Sequence, residues 1–132
     1  TEHIVCQLES FEQLGDEDEL ISKGRKFRYH DMFQPKGTNV NFIFGRKKKE
    51  LHLQTYERGV ENLTLACGTG AIASAIGWHH LGNKKTGNFK YTVKTKGGTL
   101  VIHFSFNGKN NLYHNIKLEG PAVFVFEGEY YL

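Results

Sequence analysis

A segment of small and apolar residues, 67–81, places the strongest constraint on the fold of this 132-residue chain. Alanine, serine, glycine and isoleucine occupy nearly every face of the helix that the segment predicts, as far as Trp78. Such a helix must be covered by other elements, because it leaves no polar face for water. Gly82 and Asn83 predict where it ends. The chain therefore needs further elements that enclose one central helix.

The flanking segments supply a sheet and a second helix. Acidic residues at 16–19 favour a helix N-terminus, and the helix is predicted to run to about Tyr29. Alternating, β-branched and aromatic patterns predict strands at 3–9, 39–44, 50–56, 89–96, 99–106, 116–118 and 122–126, with 129–132 extending the last. The predicted fold class is α+β, a single domain with a barrel-like, mostly antiparallel sheet wrapped around a central buried helix.

Composition limits the class of protein. The chain is long enough for one domain with a core, and 39% hydrophobic residues indicate a globular protein. A net charge of +3 gives little support for a nucleic-acid partner. No apolar run approaches the roughly 18 residues of a membrane span, and no signal peptide is predicted. Two cysteines do not make a disulfide framework, which predicts a cytoplasmic protein.

Cys67 stands immediately before a Gly-Thr-Gly turn, at the start of the predicted central helix. Thiolate is the reactive form of cysteine, and helix N-termini favour it. The first N–H groups of a helix have no partner within it and suit a carboxylate or another anion. The residues of the turn alone also fit a small buried cysteine without a chemical role. Residues 67–70 therefore predict either half of an active site or a tight structural turn.

Two catalytic interpretations of Cys67 remain open from the residues alone. As a covalent nucleophile it needs a nearby base, which one of seven histidines could supply. As a general acid or base it moves a proton to or from carbon. The pair Glu57 and Arg58, about ten residues upstream, suits the second interpretation. An amino-acid substrate presents a carboxylate and an ammonium together.

Other site types fit the sequence poorly. Residues 68–73 match a loose dinucleotide fingerprint, but no clear strand leads into them and no acid follows about 20 residues later. His3 with Cys6, and the pair at 79–80, lack the usual spacing of metal ligands, so no metal site is predicted. The basic run at 46–49 is predicted to be a solvated hairpin turn, with a phosphate-binding patch as the alternative.

Five ordered motifs resemble the diaminopimelate epimerase family. They read Tyr-Glu-Arg-Gly-Val at 56–60, Leu-Ala-Cys-Gly-Thr-Gly-Ala at 65–71, Gly-Thr-Asn-Val-Asn-Phe at 37–42, Gly-Gly-Thr-Leu at 97–100 and Gly-Pro-Ala-Val-Phe-Val-Phe at 120–126. The Cys-Gly-Thr-Gly turn is shared with related isomerases, and the Glu-Arg-Gly-Val lead-in favours the epimerase. The resemblance covers nearly the whole chain.

The resemblance implies an isomerase that uses no cofactor, and in particular no pyridoxal phosphate. Enzymes of the family interconvert LL- and meso-diaminopimelate on the route to lysine and peptidoglycan. One cysteine thiolate removes the α-proton while a second cysteine thiol reprotonates the opposite face. The family fold has two similar domains, so residues 1–132 are expected to be the C-terminal half, with the first domain absent. The chain alone is expected to be inactive.

Catalytic roles follow from the resemblance by position. Cys67 corresponds to the catalytic cysteine of the second domain. Glu57 is expected to hold the reacting ammonium of the substrate and to assist Cys67. His3 falls where the family has a histidine that assists the cysteine of the first domain. The family usually has Asn-Pro before this histidine, whereas Thr1 and Glu2 stand here, so one contact to the distal carboxylate lacks its counterpart.

Substrate-binding roles are implied in the same way. Arg58 and Asn39 are expected to bind the distal carboxylate, and the N–H groups of Gly68 and Thr69 the α-carboxylate. The expected partners are diaminopimelate and the missing N-terminal domain, with a homodimer as a further possibility. Two alternatives remain: a related isomerase of the same fold with another substrate, or a non-catalytic binding or self-pairing module.

Overall fold

A computed structural model describes residues 1–82 and 85–132, and these residues form seven strands and two α-helices. In chain order the elements are β1 His3–Gln7, α1 Glu17–Arg28, β2 Asn39–Lys47, β3 Glu50–Glu57, β4 Asn62–Thr64, α2 Gly68–Gly82, β5 Gly87–Thr95, β6 Gly98–Asn107 and β7 Leu112–Glu119. Short 3₁₀ turns, Glu12–Gly15 and Asp31–Phe33, flank α1. Asn83, one of the two predicted helix-ending residues, lies outside the described residues.

The described strands form one sheet in the order β1-β2-β3-β5-β6-β7, with β4 added to β3. Most neighbours are antiparallel, which confirms the prediction, but β1 pairs with β2 and β3 with β5 in parallel. Parallel neighbours need a long crossover, usually a helix. Here α1 connects β1 to β2, and α2 lies in the connection from β3 to β5. The two helices therefore cover the two faces of the sheet.

Strand alternation assigns each side chain of β1 and β2 to one helix. In β2, Val40 and Phe42 belong to the apolar cluster that includes Leu20 of α1. Ile43 belongs to the second cluster, which includes Ala71 of α2. Because successive side chains of a strand point to opposite faces, the odd-numbered residues of β2 face α2. The same parity holds in the paired parts of β1 and β3.

The central helix is buried as predicted, and its small residues allow the sheet to approach it closely. Ala71 and Ala75 have no exposed surface and pack with Ile43, Val93 and Ile102. The described sheet is a curled half-barrel around α2 and leaves one side of the helix partly open. An apolar trough of about 440 Å³ follows that side.

Helix α1 begins where the acidic cluster predicts. The side chain of Asp16 accepts a hydrogen bond of 3.2 Å from the N–H of Glu19, which caps the helix. Gly24 lies inside the helix because a Cβ at this position would come within 2.5 Å of the Tyr56 ring. The glycine that weakens the sequence pattern therefore marks a close approach of helix and sheet.

The C-terminal predictions at 122–126 and 129–132 are wrong, since the described residues form no strand after Glu119. Val123, Phe124, Val125 and Phe126 are each at least 81% exposed. The β-branched and aromatic residues are those of a strand, but a strand needs a neighbour, and the segment has none within the described residues. The short strand β4 was not predicted. None of the described helices is long and apolar enough to cross a membrane.

Candidate active site

Four element ends meet at one rim of the sheet. β1 and β2 are parallel and β3 is antiparallel to β2, so the beginnings of β1 and β2 lie beside the end of β3. His3 pairs with Asn39 across the first two strands. Glu57 ends β3, and α2 begins directly after Cys67. The topology thus gathers predicted site residues that are far apart in sequence.

Cys67 caps the N-terminus of α2. Its carbonyl oxygen accepts a hydrogen bond from the N–H of Ala71 at 2.9 Å, and the residue as a whole is buried, with 8% of its surface exposed. The N–H of Gly70 donates to its sulfur at 3.4 Å. Within the described residues no acceptor takes the N–H groups of Gly68 and Thr69, which both lie at the surface. Within the described residues these two N–H groups therefore lack an acceptor, whereas that of Gly70 is taken by the sulfur.

The hairpin between β5 and β6 holds the loop that leads into Cys67. The N–H of Gly97 donates to the carbonyl oxygen of Leu65 at 2.7 Å. A Cβ at position 97 would lie 3.0 Å from that same oxygen, so only glycine lets the two backbones approach this closely. The predicted hairpin is confirmed, but its turn lies at residues 96–97, and Gly98 already belongs to β6 and pairs with Thr95. The contact of the hairpin with the cysteine loop could not be predicted from the pattern.

His3 is connected to Cys67 through Thr69. Its Nε2 lies 3.0 Å from the Thr69 hydroxyl oxygen, which in turn lies 3.7 Å from the sulfur of Cys67. Burial lowers the pKa of His3 most strongly, and the ammonium of residue 1 and Arg58 lower it further, whereas Glu57 acts in the opposite direction. His3 is consequently a neutral imidazole at neutral pH. The resemblance assigned His3 to the first domain's cysteine, and here it contacts the Cys67 turn.

Asn39 and Arg58 are also brought together. The Asn39 side-chain oxygen accepts the backbone N–H of Arg58 at 2.7 Å, and one guanidinium nitrogen donates to the carbonyl of Lys36 at 2.9 Å. Asn39 is almost fully buried. Because its side-chain oxygen accepts the backbone N–H of Arg58, the amide nitrogen is the group that could donate to a ligand. Glu57 directly precedes Arg58 in the sequence and is only half-buried.

Two buried polar residues near the site, Asn41 and Thr55, were not predicted. The Thr55 hydroxyl donates to the Asn41 side-chain oxygen at 2.9 Å, and the Asn41 amide nitrogen lies 3.2 Å from Nδ1 of His3. Both residues face α2. The available signal was a second asparagine two residues after Asn39 in an otherwise apolar strand, since the two must share one face.

The second cysteine lies outside the site. Cys6 belongs to β1 but faces α1, one position out of phase with His3 and Val5. Burial raises the pKa of the Cys6 thiol, with a smaller opposing influence from Lys23. The trough beside α2 begins at His3, whereas a larger concavity of 760 Å³ over β5, β6 and β7 contains none of the predicted site residues.

Comparison with known proteins identifies the family of the chain. The profile of the family described as Diaminopimelate epimerase matches residues 1–125. A diaminopimelate epimerase of Flavobacterium psychrophilum is 44% identical over 109 residues, covering 83% of this chain and 41% of the relative. That of Aquifex aeolicus is 41% identical over 128 residues, covering 96% of this chain and 42% of the relative. The chain thus spans about two fifths of the length of these relatives.

A solved structure described as a predicted epimerase from Pseudomonas aeruginosa shares the fold. It superposes with a TM-score of 0.58 at 14% identity, covering 79% of this chain and 33% of that chain. The α+β architecture predicted from the sequence is confirmed by this likeness. On the match across residues 1–125 and the identity to curated relatives, the chain belongs to the diaminopimelate epimerase family.

Proposed function

We propose that residues 1–132 are the C-terminal domain of a cofactor-independent diaminopimelate epimerase, which needs a first domain to act. The observation that carries the proposal is the pairing of a thiol with two unoccupied helix N–H groups at Cys67, in a chain of this family. A proton donor or acceptor and a carboxylate site lie within one turn of each other. An amino-acid α-carbon needs both.

The start of α2 supports a role in binding the α-carboxylate. The N–H groups of Gly68 and Thr69 would hold it, aided by the positive end of the helix dipole. When the α-proton leaves, negative charge spreads from the carbon onto this carboxylate, so donors fixed there stabilise the transition state. Glu57 would hold the ammonium, because it supplies the opposite charge at the same rim.

Arg58 and Asn39 support a preference for a substrate with a second carboxylate. The carbonyl oxygen of Lys36 accepts from one guanidinium nitrogen of Arg58, and the other donors have no acceptor within residues 1–82 and 85–132, so they would be free for a ligand. The hydrogen bond from the backbone N–H of Arg58 to the side chain of Asn39 fixes the position of the backbone from which the arginine side chain extends. A related isomerase acting on a monocarboxylate would gain little from this pair.

Proton transfer is the proposed role of Cys67. An α-C–H bond is weakly acidic, so its base must be held against the carbon in the correct direction. Inversion also requires an acid on the opposite face of the same carbon. We assign that acid to a second cysteine in the first domain. Residues 1–132 alone are therefore expected not to epimerise diaminopimelate.

The exposed C-terminal segment supports the need for a partner. Large apolar side chains within 123–132 are almost fully exposed, which is unusual for a monomeric surface. We propose the first domain as the body that covers them. In the alternative interpretation two copies of the chain cover each other, and light scattering on the purified chain distinguishes the two, since a monomer excludes self-pairing.

The central experiment follows deuterium exchange at the α-carbon of diaminopimelate in D₂O. The two-domain protein is expected to exchange and epimerise, while the 132-residue chain is not. In the two-domain protein, Cys67→Ala should lower the rate by about 10²-fold or more. Cys6→Ala, on the α1 face, should leave the rate unchanged. Epimerisation by the chain alone, or full activity of Cys67→Ala, would refute the proposal.

A substrate comparison tests the second carboxylate. Arg58→Met is expected to raise KM for diaminopimelate while leaving KM for amino acids without a distal carboxylate unchanged. Equal exchange of both substrate types by the unaltered two-domain protein would favour the related isomerase instead.

A further inference from the structure

The amide side chain of Asn41 is held in one orientation, because the carbonyl oxygen beside it can only accept a hydrogen bond. Its amide nitrogen lies 2.8 Å from the carbonyl oxygen of Ile4, which can only accept a hydrogen bond. The atom facing Ile4 must therefore be the NH₂ group and not the oxygen. The oxygen then accepts the hydroxyl of Thr55 at 2.9 Å. Asn41 has no exposed surface, so no solvent competes for these contacts.

This orientation determines the state of His3. The same NH₂ group lies 3.2 Å from Nδ1 of the imidazole, so Nδ1 must be the acceptor and carry no proton. In the neutral ring the proton then resides on Nε2, which donates to the Thr69 oxygen at 3.0 Å. A hydroxyl that accepts from His3 keeps its own proton to donate, and the Cys67 sulfur lies 3.7 Å away.

We infer that Asn41 is a positioning residue that keeps His3 neutral with its proton on Nε2, so that the Thr69 hydroxyl is turned toward the sulfur of Cys67. Protonation of Nδ1 would set an N–H of His3 against the NH₂ of Asn41. Asn41 cannot turn to relieve this conflict, because its oxygen would then face the oxygen of Ile4. The importance of this arrangement for catalysis rests on the proposed role of Cys67.

Other groups also act on His3 and must be separated from Asn41. The ammonium of residue 1, Glu57 and Arg58 are the charges with an effect on its pKa. His80 lines the same trough from α2. None of these groups touches Nδ1 within the described residues, and only Asn41 does so. A change at position 41 should therefore alter the tautomer, whereas a distant charge should only shift the midpoint of titration slightly.

The test uses ¹⁵N-histidine NMR on the 132-residue chain, with the His3 signals assigned by loss in His3→Gln. Long-range correlations report the tautomer and the titration midpoint directly. Unaltered His3 should be the Nε2–H tautomer at neutral pH. In Asn41→Asp an acceptor replaces the donor, so the midpoint should rise by about one pH unit or more and the neutral ring should carry its proton on Nδ1.

Two controls accompany this variant. Asn110→Asp adds the same charge at an exposed turn and should change neither property. Thr55→Val removes the hydroxyl but leaves Ile4 to orient the amide, so the tautomer should be retained. An Nδ1–H tautomer in the unaltered chain would overturn the inference even if Asn41→Asp fails to fold, and so would a flipped tautomer in Thr55→Val.

These readouts do not involve diaminopimelate, so the two proposals can fail separately. A two-domain protein without epimerase activity refutes the proposed function and leaves the tautomer assignment intact. A wrong tautomer refutes the role of Asn41 and leaves the epimerase proposal intact.

Discussion

Replacement of Gly70 by alanine offers the sharpest test of how the cysteine turn is packed. A Cβ at this position would lie 2.5 Å from the side-chain oxygen of Asn41 and 3.1 Å from both the Thr55 hydroxyl and the Cys67 sulfur. The first distance is too short for any carbon and oxygen that are not bonded. Either the start of α2 or the Asn41 side chain must move.

The expected magnitude follows from what resists the movement. Asn41 is held by the hydrogen bonds to Ile4, Thr55 and His3, so displacing it weakens buried contacts that each contribute about 1 kcal/mol. Overpacking of a filled site costs about 1–3 kcal/mol. Alanine recovers at most about 1 kcal/mol of helix propensity. When the helix-propensity gain is set against the overpacking and hydrogen-bond costs, we expect Gly70→Ala to lower the free energy of unfolding by about 1–2 kcal/mol.

Gly77→Ala in the same helix is the matched control. A Cβ there would contact only the Val5 side chain at 3.5–3.6 Å, which is ordinary packing distance. This variant should be stabilised by about 0.5–1 kcal/mol, because only the backbone effect remains.

Urea unfolding followed by the fluorescence of Trp78, the single tryptophan, measures both variants. For an m-value of about 2 kcal/mol/M, the midpoint of Gly70→Ala should fall by about 0.5–1 M while that of Gly77→Ala rises. If the two variants move in the same direction and by the same amount, the contact between Gly70 and Asn41 is not tight and the reasoning fails.

Two further predictions concern the thiol and the buried histidine. Thr69→Val should slow the alkylation of Cys67 by iodoacetamide about tenfold, because the thiolate loses a hydroxyl donor. Thr69→Ser should react as fast as the unaltered chain, and the alkylation rate of Cys6 should not change in either variant. Equal rates for Cys67 in the two variants would show that the Thr69 hydroxyl does not act on the thiolate. Burial lowers the pKa of His79, and the nearby charge of His80 lowers it further. The stability that neutral His79 contributes is therefore complete above the pKa of an unfolded histidine, about 6.5, and is lost as the pH falls below that value. The loss should not exceed about 1.4 kcal/mol per pH unit for this one group, and urea midpoints for His79→Phe should decline less steeply between pH 7.5 and 5 than those of the unaltered chain.

The sequence predicted the central helix because a helix formed by segment 67–81 has no polar face and must therefore be buried. Small residues on every face require close neighbours on every covered side, and Ala71 and Ala75 have no exposed surface. The order of the strands was less accessible. The parallel pairing of β3 with β5 depends on the direction in which the chain returns across α2, and no single residue records that choice.

The reactive groups of the candidate site can be proposed from the sequence, whereas the buried residues that hold them in place cannot. Cys67, Glu57 and His3 carry functional groups that stand out in the sequence. The only signal for Asn41 was its spacing from Asn39, and Thr55 became recognisable only when strand register placed it opposite Asn41 and under α2. A polar residue in an apolar strand could equally face solvent. Its burial depends on which helix covers that face, which is a tertiary property.

The C-terminal segment shows why a correct local pattern can give a wrong prediction. Residues 122–126 form a continuous run of apolar side chains with β-branched and aromatic members, as a buried strand does, yet the described structure leaves Phe124 98% exposed. Strand propensity mostly reflects packing against neighbours, so it is realised only where a sheet edge is available. The segment leaves the sheet after Glu119, next to Leu118, whose side chain would lie 3.2 Å from a Cβ at Gly68. The segment therefore begins close to the cysteine turn, where the first domain of our proposal would also have to bring its acid.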